Sequence, residues 1–418
     1  MSLKEKIYQI LIKTQSVSQT DNVYLGKQLF FVGINYAVIF IFGLLTSVAF
    51  ARYVSKEAYG QYQYLFSILA ILGVFSLRGI AASLTRSIAR GFEGSFLLSI
   101  KKRLAWAAAG SIVALIMAGY YFFKDNAFLA VGCLLIAALM PIYETADMYQ
   151  AYLEGKKDFR QRAKLNILAQ IIYSSAILAV IYFRPQVFPI FIVSLLFSAA
   201  VKWLFNLSII KKTRNKETEN DVIKYGKHLS LITVVNTVAQ QLNKILVFHF
   251  LGPIDLAIFS FANLPQSQAT NALANLRTIA YPKISEKDKD ILIKAWFRKL
   301  LLLTFFIALG TIFYLFIAPF LFKIFFPNYM SSVKYSQILF LLVLFFPVSF
   351  LPLILQAQKK QKELYRWNIS TSLLEIVLFF LLIPPFGLWG LIYAEFATKA
   401  VSCLYGVYLF KKVFAKNL

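Results

Sequence analysis

The sequence predicts an all-α polytopic membrane protein of about twelve transmembrane helices, set in two six-helix lobes related by a pseudo-two-fold axis along the membrane normal. Three observations carry that reading. Of 418 residues, 59% are hydrophobic and 15% charged, where a soluble domain runs near a quarter charged. Uncharged apolar runs at Leu29–Ala51, Leu104–Phe123, Leu300–Phe322 and Tyr335–Gln358 contain 23, 20, 23 and 24 residues, and about 20 cross a bilayer. The charges collect between such runs, and one long charged connection, 211–227, has six spans before it and six after.

In chain order the spans are 25–53, 57–88, 103–123, 126–152, 163–183, 186–210, 225–251, 254–282, 297–322, 332–358, 364–384 and 387–410. The first, third, ninth and tenth contain the four long runs. The second, fourth, sixth, eleventh and twelfth are apolar stretches carrying isolated ionisable groups, and the seventh and eighth carry amides at four-residue spacing. Residues 1–24 place Lys4, Lys6 and Lys13 around Ile7, Ile10, Leu11 and Val17, which suits an amphipathic helix on the membrane surface. The domains are then 1–24, an N-lobe 25–210, a connection 211–224 and a C-lobe 225–418. No cleavable signal peptide is expected, since the first apolar run is too long for one.

A net charge of +25 suggests a nucleic-acid binder until the charges are placed. On this span layout 33 Lys and Arg fall in the tails and alternate loops of one side, six fall on the other and five lie inside spans. That is the positive-inside bias, which puts both termini in the cytoplasm and removes nucleic acid as a partner. Cys133 and Cys403 lie within spans, with only His228 and His249 as further soft ligands, so neither a disulfide framework nor a metal site is expected. No Gly-x-x-x-x-Gly-Lys loop occurs, so no nucleotide cofactor is expected. The short loops also argue against a membrane enzyme.

The halves repeat weakly. Val54-Ser-Lys-Glu-Ala-Tyr-Gly-Gln-Tyr62 at the first turn of the N-lobe corresponds to Leu251-Gly-Pro-Ile-Asp-Leu-Ala-Ile-Phe259, and Gly155-Lys-Lys-Asp-Phe159 with Asn166 to Gln358-Lys-Lys-Gln-Lys362 with Asn368. An even number of spans per half gives parallel repeats, an arrangement known in transporters that rock about a central site.

The stretch Phe50-Ala-Arg-Tyr-Val-Ser-Lys-Glu-Ala-Tyr-Gly-Gln-Tyr62, followed by Gly79-Ile-Ala-Ala-Ser-Leu-Thr-Arg86, resembles the opening signature of bacterial polysaccharide-repeat-unit flippases. These are the O-antigen and capsule flippases of the multidrug/oligosaccharidyl-lipid/polysaccharide exporter superfamily. The resemblance implies a non-enzymatic, multi-pass protein of the bacterial inner membrane. By alternating access it would carry undecaprenyl-diphosphate-linked oligosaccharide between leaflets for cell-surface polysaccharide assembly. Membrane lipids, a polysaccharide polymerase and chain-length machinery are the further partners implied. The rival readings are a small-molecule or cation antiporter of the drug-exporting branch and a lipid II flippase, although the latter usually has two more spans.

Ionisable groups inside spans are costly and so face protein or water. Arg78 and Arg277, 199 residues apart, lie close to the repeat offset, a rival alignment pairing Arg86-Ser-Ile-Ala with Arg277-Thr-Ile-Ala instead, and an arginine can grip a diphosphate bidentately. Arg86, by resemblance the family's recurring arginine, and Lys244, nearer the outer mouth, complete a hand-over path. Asn236 and Gln240 on the seventh span, with Asn263, Gln266, Ser267, Asn271 and Asn275 on the eighth, face a hydrophilic cavity for the sugar, which the resemblance places between the first, second, seventh and eighth spans. Tyr59, Tyr62, Gln63 and Tyr64 offer stacking and hydrogen bonds.

Glu144 and Asp147, one turn apart, are expected to share a proton or bind a coupling cation, unless Tyr143, Tyr149 or Lys156 neutralises them. A proton gradient, a sodium gradient and the membrane potential are the energy sources in play. Glu375, Glu395 and Lys399 read as a structural salt bridge bracing the last two spans, and Lys202 as a side chain snorkelling to the near interface.

Overall fold

A computed structural model describes residues 22–213, 215–219, 221–285, 289–357 and 360–414. The N-terminal surface helix expected over 1–24 lies almost wholly outside them. No strand occurs among the described residues, as hydrocarbon demands of a chain that must bond its own backbone groups within each crossing segment. The helices are α1 Asn22–Tyr53, α2 Lys56–Leu72, α3 Ile80–Ala89, α4 Ser95–Phe123, α5 Ala127–Thr145, α6 Met148–Gly155, α7 Phe159–Phe183, α8 Val187–Lys212, α9 Val222–Leu251, α10 Pro253–Ser285, α11 Lys289–Phe325, α12 Ser332–Phe340, α13 Phe350–Ala357 and α14 Gln361–Phe414. Eight helical segments are long and apolar enough to cross a membrane, ten when two bent pairs each count as one. The amide-rich α10 is not among them, and the stretch 362–409 counts once although Gly387 (φ 59°, ψ −136°) breaks it into two helices. All twelve segments expected from the sequence are helical.

The breaks have local causes. After α2 the chain tightens into a 3₁₀ turn at Gly73–Ser76, and Leu77 adopts a left-handed conformation (φ 53°, ψ 57°), unusual for a residue with a side chain. The fourth span divides into α5 and α6 around Ala146 and Asp147. α5 and α7 start on side-chain caps, in which Asn126 accepts from the Leu129 N–H at 3.1 Å and Asp158 from that of Gln161 at 2.9 Å. α4 starts at Ser95, eight residues before the expected boundary, so Lys101, Lys102 and Arg103 are helical residues.

The chain forms two compact units that differ from an even division into six and six spans. One comprises residues 1–49 and 72–231, the other 50–71 and 232–418. In the first, Ile80, Leu84 and Ile88 of α3 meet Phe96 and Ile100 of α4 and Met148 and Tyr149 of α6 in a buried core. In the second, α2 is held by aromatic rings. Tyr59 lies 4.7 Å from Phe261 and 5.1 Å from Phe50 between ring centres, and Phe261 lies 4.0 Å from Tyr329. α2 also comes to backbone contact with the start of α10: a Cβ on Gly60 would stand 1.8 Å from the Pro253 carbonyl oxygen, so only glycine fits there.

Candidate functional site

Burying a carboxylate in an apolar bundle requires cationic and hydrogen-bonding partners, and Glu144 on α5 has four such contacts. Arg78, just after the Leu77 break, donates from Nη2 to Oε1 at 2.6 Å and from Nε to Oε2 at 3.0 Å. Ser76 Oγ donates to Oε2 at 2.9 Å, and Arg103 Nη2 from α4 reaches the same oxygen at 3.5 Å. The Glu144 side chain is 3% exposed and that of Arg103 8%, while Arg78 remains 35% exposed. Two guanidiniums share one carboxylate, so the cluster retains one positive charge, and its accessible part is Arg78. That is a structural ion pair with one cation still accessible.

The expectation that Glu144 and Asp147 share a proton or a cation needs correcting. Asp147 falls at the break between α5 and α6 and turns to Lys202 Nζ at 2.9 Å and to the Gln150 amide at 2.9 Å. Each carboxylate therefore has its own cation, and Lys202, read as snorkelling, is half of an ion pair. Arg103 was not singled out in the sequence because it ends a run of three basic residues. Helix rotation of about 100° per residue separates it from its neighbours, leaving Lys101 and Lys102 exposed and Arg103 buried.

In the second unit, Asn236 and Gln240 open onto a cavity of about 250 Å³ with Trp367, Ser372, Glu375 and Lys399. Its walls come from α9, the 3₁₀ turn Leu341–Ser349, α13 and both parts of α14. Ser372 Oγ donates to Asn236 Oδ1 at 2.9 Å, and Trp367 Nε1 to Ser402 Oγ at 2.9 Å. The expected brace of Glu375, Glu395 and Lys399 does not form: among the described residues no ion pair joins them. Glu375 and Lys399 instead face the shared cavity. The amide stripe of α9 thus serves a cavity whose other walls come from later spans. Asn368, Thr371 and Thr398, which also line it, were missed because hydroxyls and single amides are common on packed helices.

The remaining candidates divide by exposure. Tyr59, Tyr62 and Tyr64 are 5%, 7% and 6% exposed, packed in the aromatic core rather than offered to a sugar. Gln63 donates to the Tyr59 hydroxyl at 2.8 Å. On α10, Asn263, Gln266 and Ser267 are half-buried and Asn271 is exposed. Gln266 donates to Thr270 Oγ1 at 3.3 Å and Ser267 to the Leu264 carbonyl at 2.9 Å, bonds that stay within the helix. Asn275 and Arg277 lie on α10, but their side chains fall outside the described residues. Lys244 is half-buried with no carboxylate in ion-pair distance among the described residues. Arg86, in the last turn of α3, lies over the Tyr225 ring at 5.1 Å from its centre.

A family model described as "Polysaccharide biosynthesis protein" matches residues 25–287. No curated protein matches the chain. The solved structures similar to it include the lipid II flippase MurJ in an inward closed conformation, with a TM-score of 0.66 at 16% identity over 92% of this chain and 87% of that one. An outward-facing multidrug resistance transporter of the MATE family and MOP superfamily gives 0.61 at 14% identity over 94% and 97%. A MOP superfamily transporter from Pyrococcus furiosus gives 0.52 at 15% identity over 91% and 95%. At these identities the likeness is one of fold.

Proposed function

The chain belongs to the polysaccharide biosynthesis protein family and has the helical fold of MOP-superfamily transporters, and from that premise we propose that it is a flippase for undecaprenyl-diphosphate-linked oligosaccharide. On this reading it works in the bacterial inner membrane with both termini cytoplasmic, exchanging inward-open and outward-open states.

The observation that carries the proposal is the surplus cation at Arg78. Hydrocarbon-embedded guanidinium is expensive unless something anionic answers it, and Glu144 neutralises only one of the two in its cluster. A diphosphate needs charge-assisted hydrogen bonds in place of its lost water, and the planar fork of arginine supplies two at once. A drug-cation antiporter would favour a net acidic pocket instead. Lys244 and Arg277 are further cations of the same preference in the sequence of the second unit. Amides on α9 and α10 suit sugar hydroxyls, and the cavity containing Glu375 and Lys399 is the place to look for coupling to a proton gradient, a sodium gradient or the membrane potential.

The test is deletion of the gene followed by mass spectrometry of undecaprenyl-linked intermediates. Accumulation of a defined lipid-linked oligosaccharide on the cytoplasmic face is the expected result. Its absence, with surface polysaccharide intact, would overturn the proposal. Arg277→Ala should fail to restore export at normal protein levels and Arg277→Lys should restore it in part.

A further inference from the structure

A second cationic recess lies in the first unit, where the chain returns after the connection at 215–221. It has a volume of about 570 Å³, and its walls include Ser83, Arg86, Arg90, Lys224, Tyr225 and His228. α3 and the start of α9 hold these residues in fixed register. A Cβ on Gly79 would stand 2.4 Å from the Ser230 backbone nitrogen, and one on Gly226 would stand 2.9 Å from Ile80 Cα. Ser83 Oγ donates to the Val222 carbonyl at 2.6 Å, and the Gly79 N–H to Ser230 Oγ at 3.0 Å. Two close backbone approaches and a hydrogen bond one turn further on set the register of the two helices, with Arg86 facing Tyr225.

The charges there are not balanced evenly. Arg90 pairs with Glu219. Arg86 pairs with no carboxylate among the described residues and instead lies over the Tyr225 ring, 5.1 Å from its centre. A ring beneath the cation takes none of its N–H donors as a carboxylate would, so they stay available to oxygen acceptors. Those donors have the geometry of two oxygens on one phosphorus. Lys224 and His228 stand on the same wall, with Asp221 as the one further acid. Eight residues separate Arg86 from Arg78, about 12 Å along a helix.

We propose that this recess is a docking site for a phosphate-bearing lipid headgroup, in which Arg86, held over Tyr225, makes the bidentate contact, Lys224 supplies further positive charge and His228 a further hydrogen-bond partner. Where the headgroup is the lipid-linked diphosphate, the site is a loading stop ahead of Arg78, which rests on the flippase reading above. Where it is an anionic phospholipid, the same chemistry serves as a lipid anchor.

The experiment uses the purified full-length protein in nanodiscs of neutral lipid, titrated with undecaprenyl diphosphate or with phosphatidylglycerol and followed by native mass spectrometry. Arg86→Ala and Tyr225→Ala should each weaken binding roughly tenfold, as expected for loss of a charge-assisted bidentate contact. Tyr225→Phe, which keeps the platform, should stay within about twofold, and Lys124→Ala controls for total charge. A tenfold loss confined to undecaprenyl diphosphate identifies the loading stop, and a loss confined to phosphatidylglycerol identifies the anchor. Unchanged binding of both probes in folded Arg86→Ala and Tyr225→Ala would overturn the proposal. Failure of the flippase reading would appear separately, as absence of accumulated intermediate in the deletion strain with the binding losses still present.

Discussion

Arg78 and Glu144 form a two-point ion pair between the segment after α2 and the last turn of α5, at 2.6 and 3.0 Å. The pair is closed on the Glu144 side and open on the Arg78 side. Removing Glu144 strands two guanidiniums, and breaking a buried pair from one side costs about 3 to 5 kcal/mol. Glu144→Ala is therefore expected to lower the thermal midpoint strongly in detergent. Glu144→Ala with Arg103→Met should recover part of the loss, because the most deeply buried cation is removed with its partner. A double variant no more stable than Glu144→Ala alone would show that Arg103 does not depend on this carboxylate.

The Gly60 contact with Pro253 makes a purely steric prediction. Gly60→Ala forces a methyl into the Pro253 carbonyl, and overpacking of this kind costs about 1 to 3 kcal/mol. Gly43→Ala, where no atom lies within 4 Å of the new methyl, should be neutral. Equal midpoints for the two variants would count against the backbone contact.

Glu375 and Lys399 share a polar cavity without touching. Each charge still lowers the cost of the other, so Glu375→Gln and Lys399→Met should each reduce stability and the double variant should lose less than the sum. The interaction energy from the cycle is expected to lie between about 0.5 and 3 kcal/mol. Strict additivity would mean that the two groups do not sense each other.

Orientation follows from the charge bias and is checked by cysteine accessibility. A membrane-impermeant maleimide should label Asn328→Cys in intact cells and should reach Asn220→Cys only after permeabilisation. Labelling of Asn220→Cys in intact cells reverses the topology.

Much of the fold could be read from the sequence because apolar run length is a one-dimensional property, and it marks Leu29–Ala51 or Tyr335–Gln358 without reference to any neighbour. The site was less accessible because it depends on rotation about a helix and on partners distant in sequence. Lys202 was read by its distance from the span end, whereas its role is set by Asp147, 55 residues earlier on another helix. Glu395 and Lys399 have ideal spacing for a pair within one helix, yet no ion pair joins them among the described residues and Lys399 faces the cavity. The left-handed residue of the break is Leu77 rather than Gly73 or Gly79 on either side of it. It is held by Glu144, which binds Ser76 and Arg78 on either side of it.

The interleaving of the two units has a consequence for biosynthesis. Residues 50–71 leave the ribosome early but pack with a unit whose remainder begins at 232, so about 160 residues are made in between. At roughly 5 to 20 residues per second, α2 waits about ten to forty seconds for Phe261 and about thirteen to fifty for Tyr329. During that interval its tyrosines must be sheltered by lipid or by the insertion machinery. Completion of the N-terminal half therefore cannot be a finished folding step. A nascent chain stalled shortly after residue 231 should leave a cysteine at Tyr59 open to a lipid-soluble thiol reagent, and release of the full chain should close it.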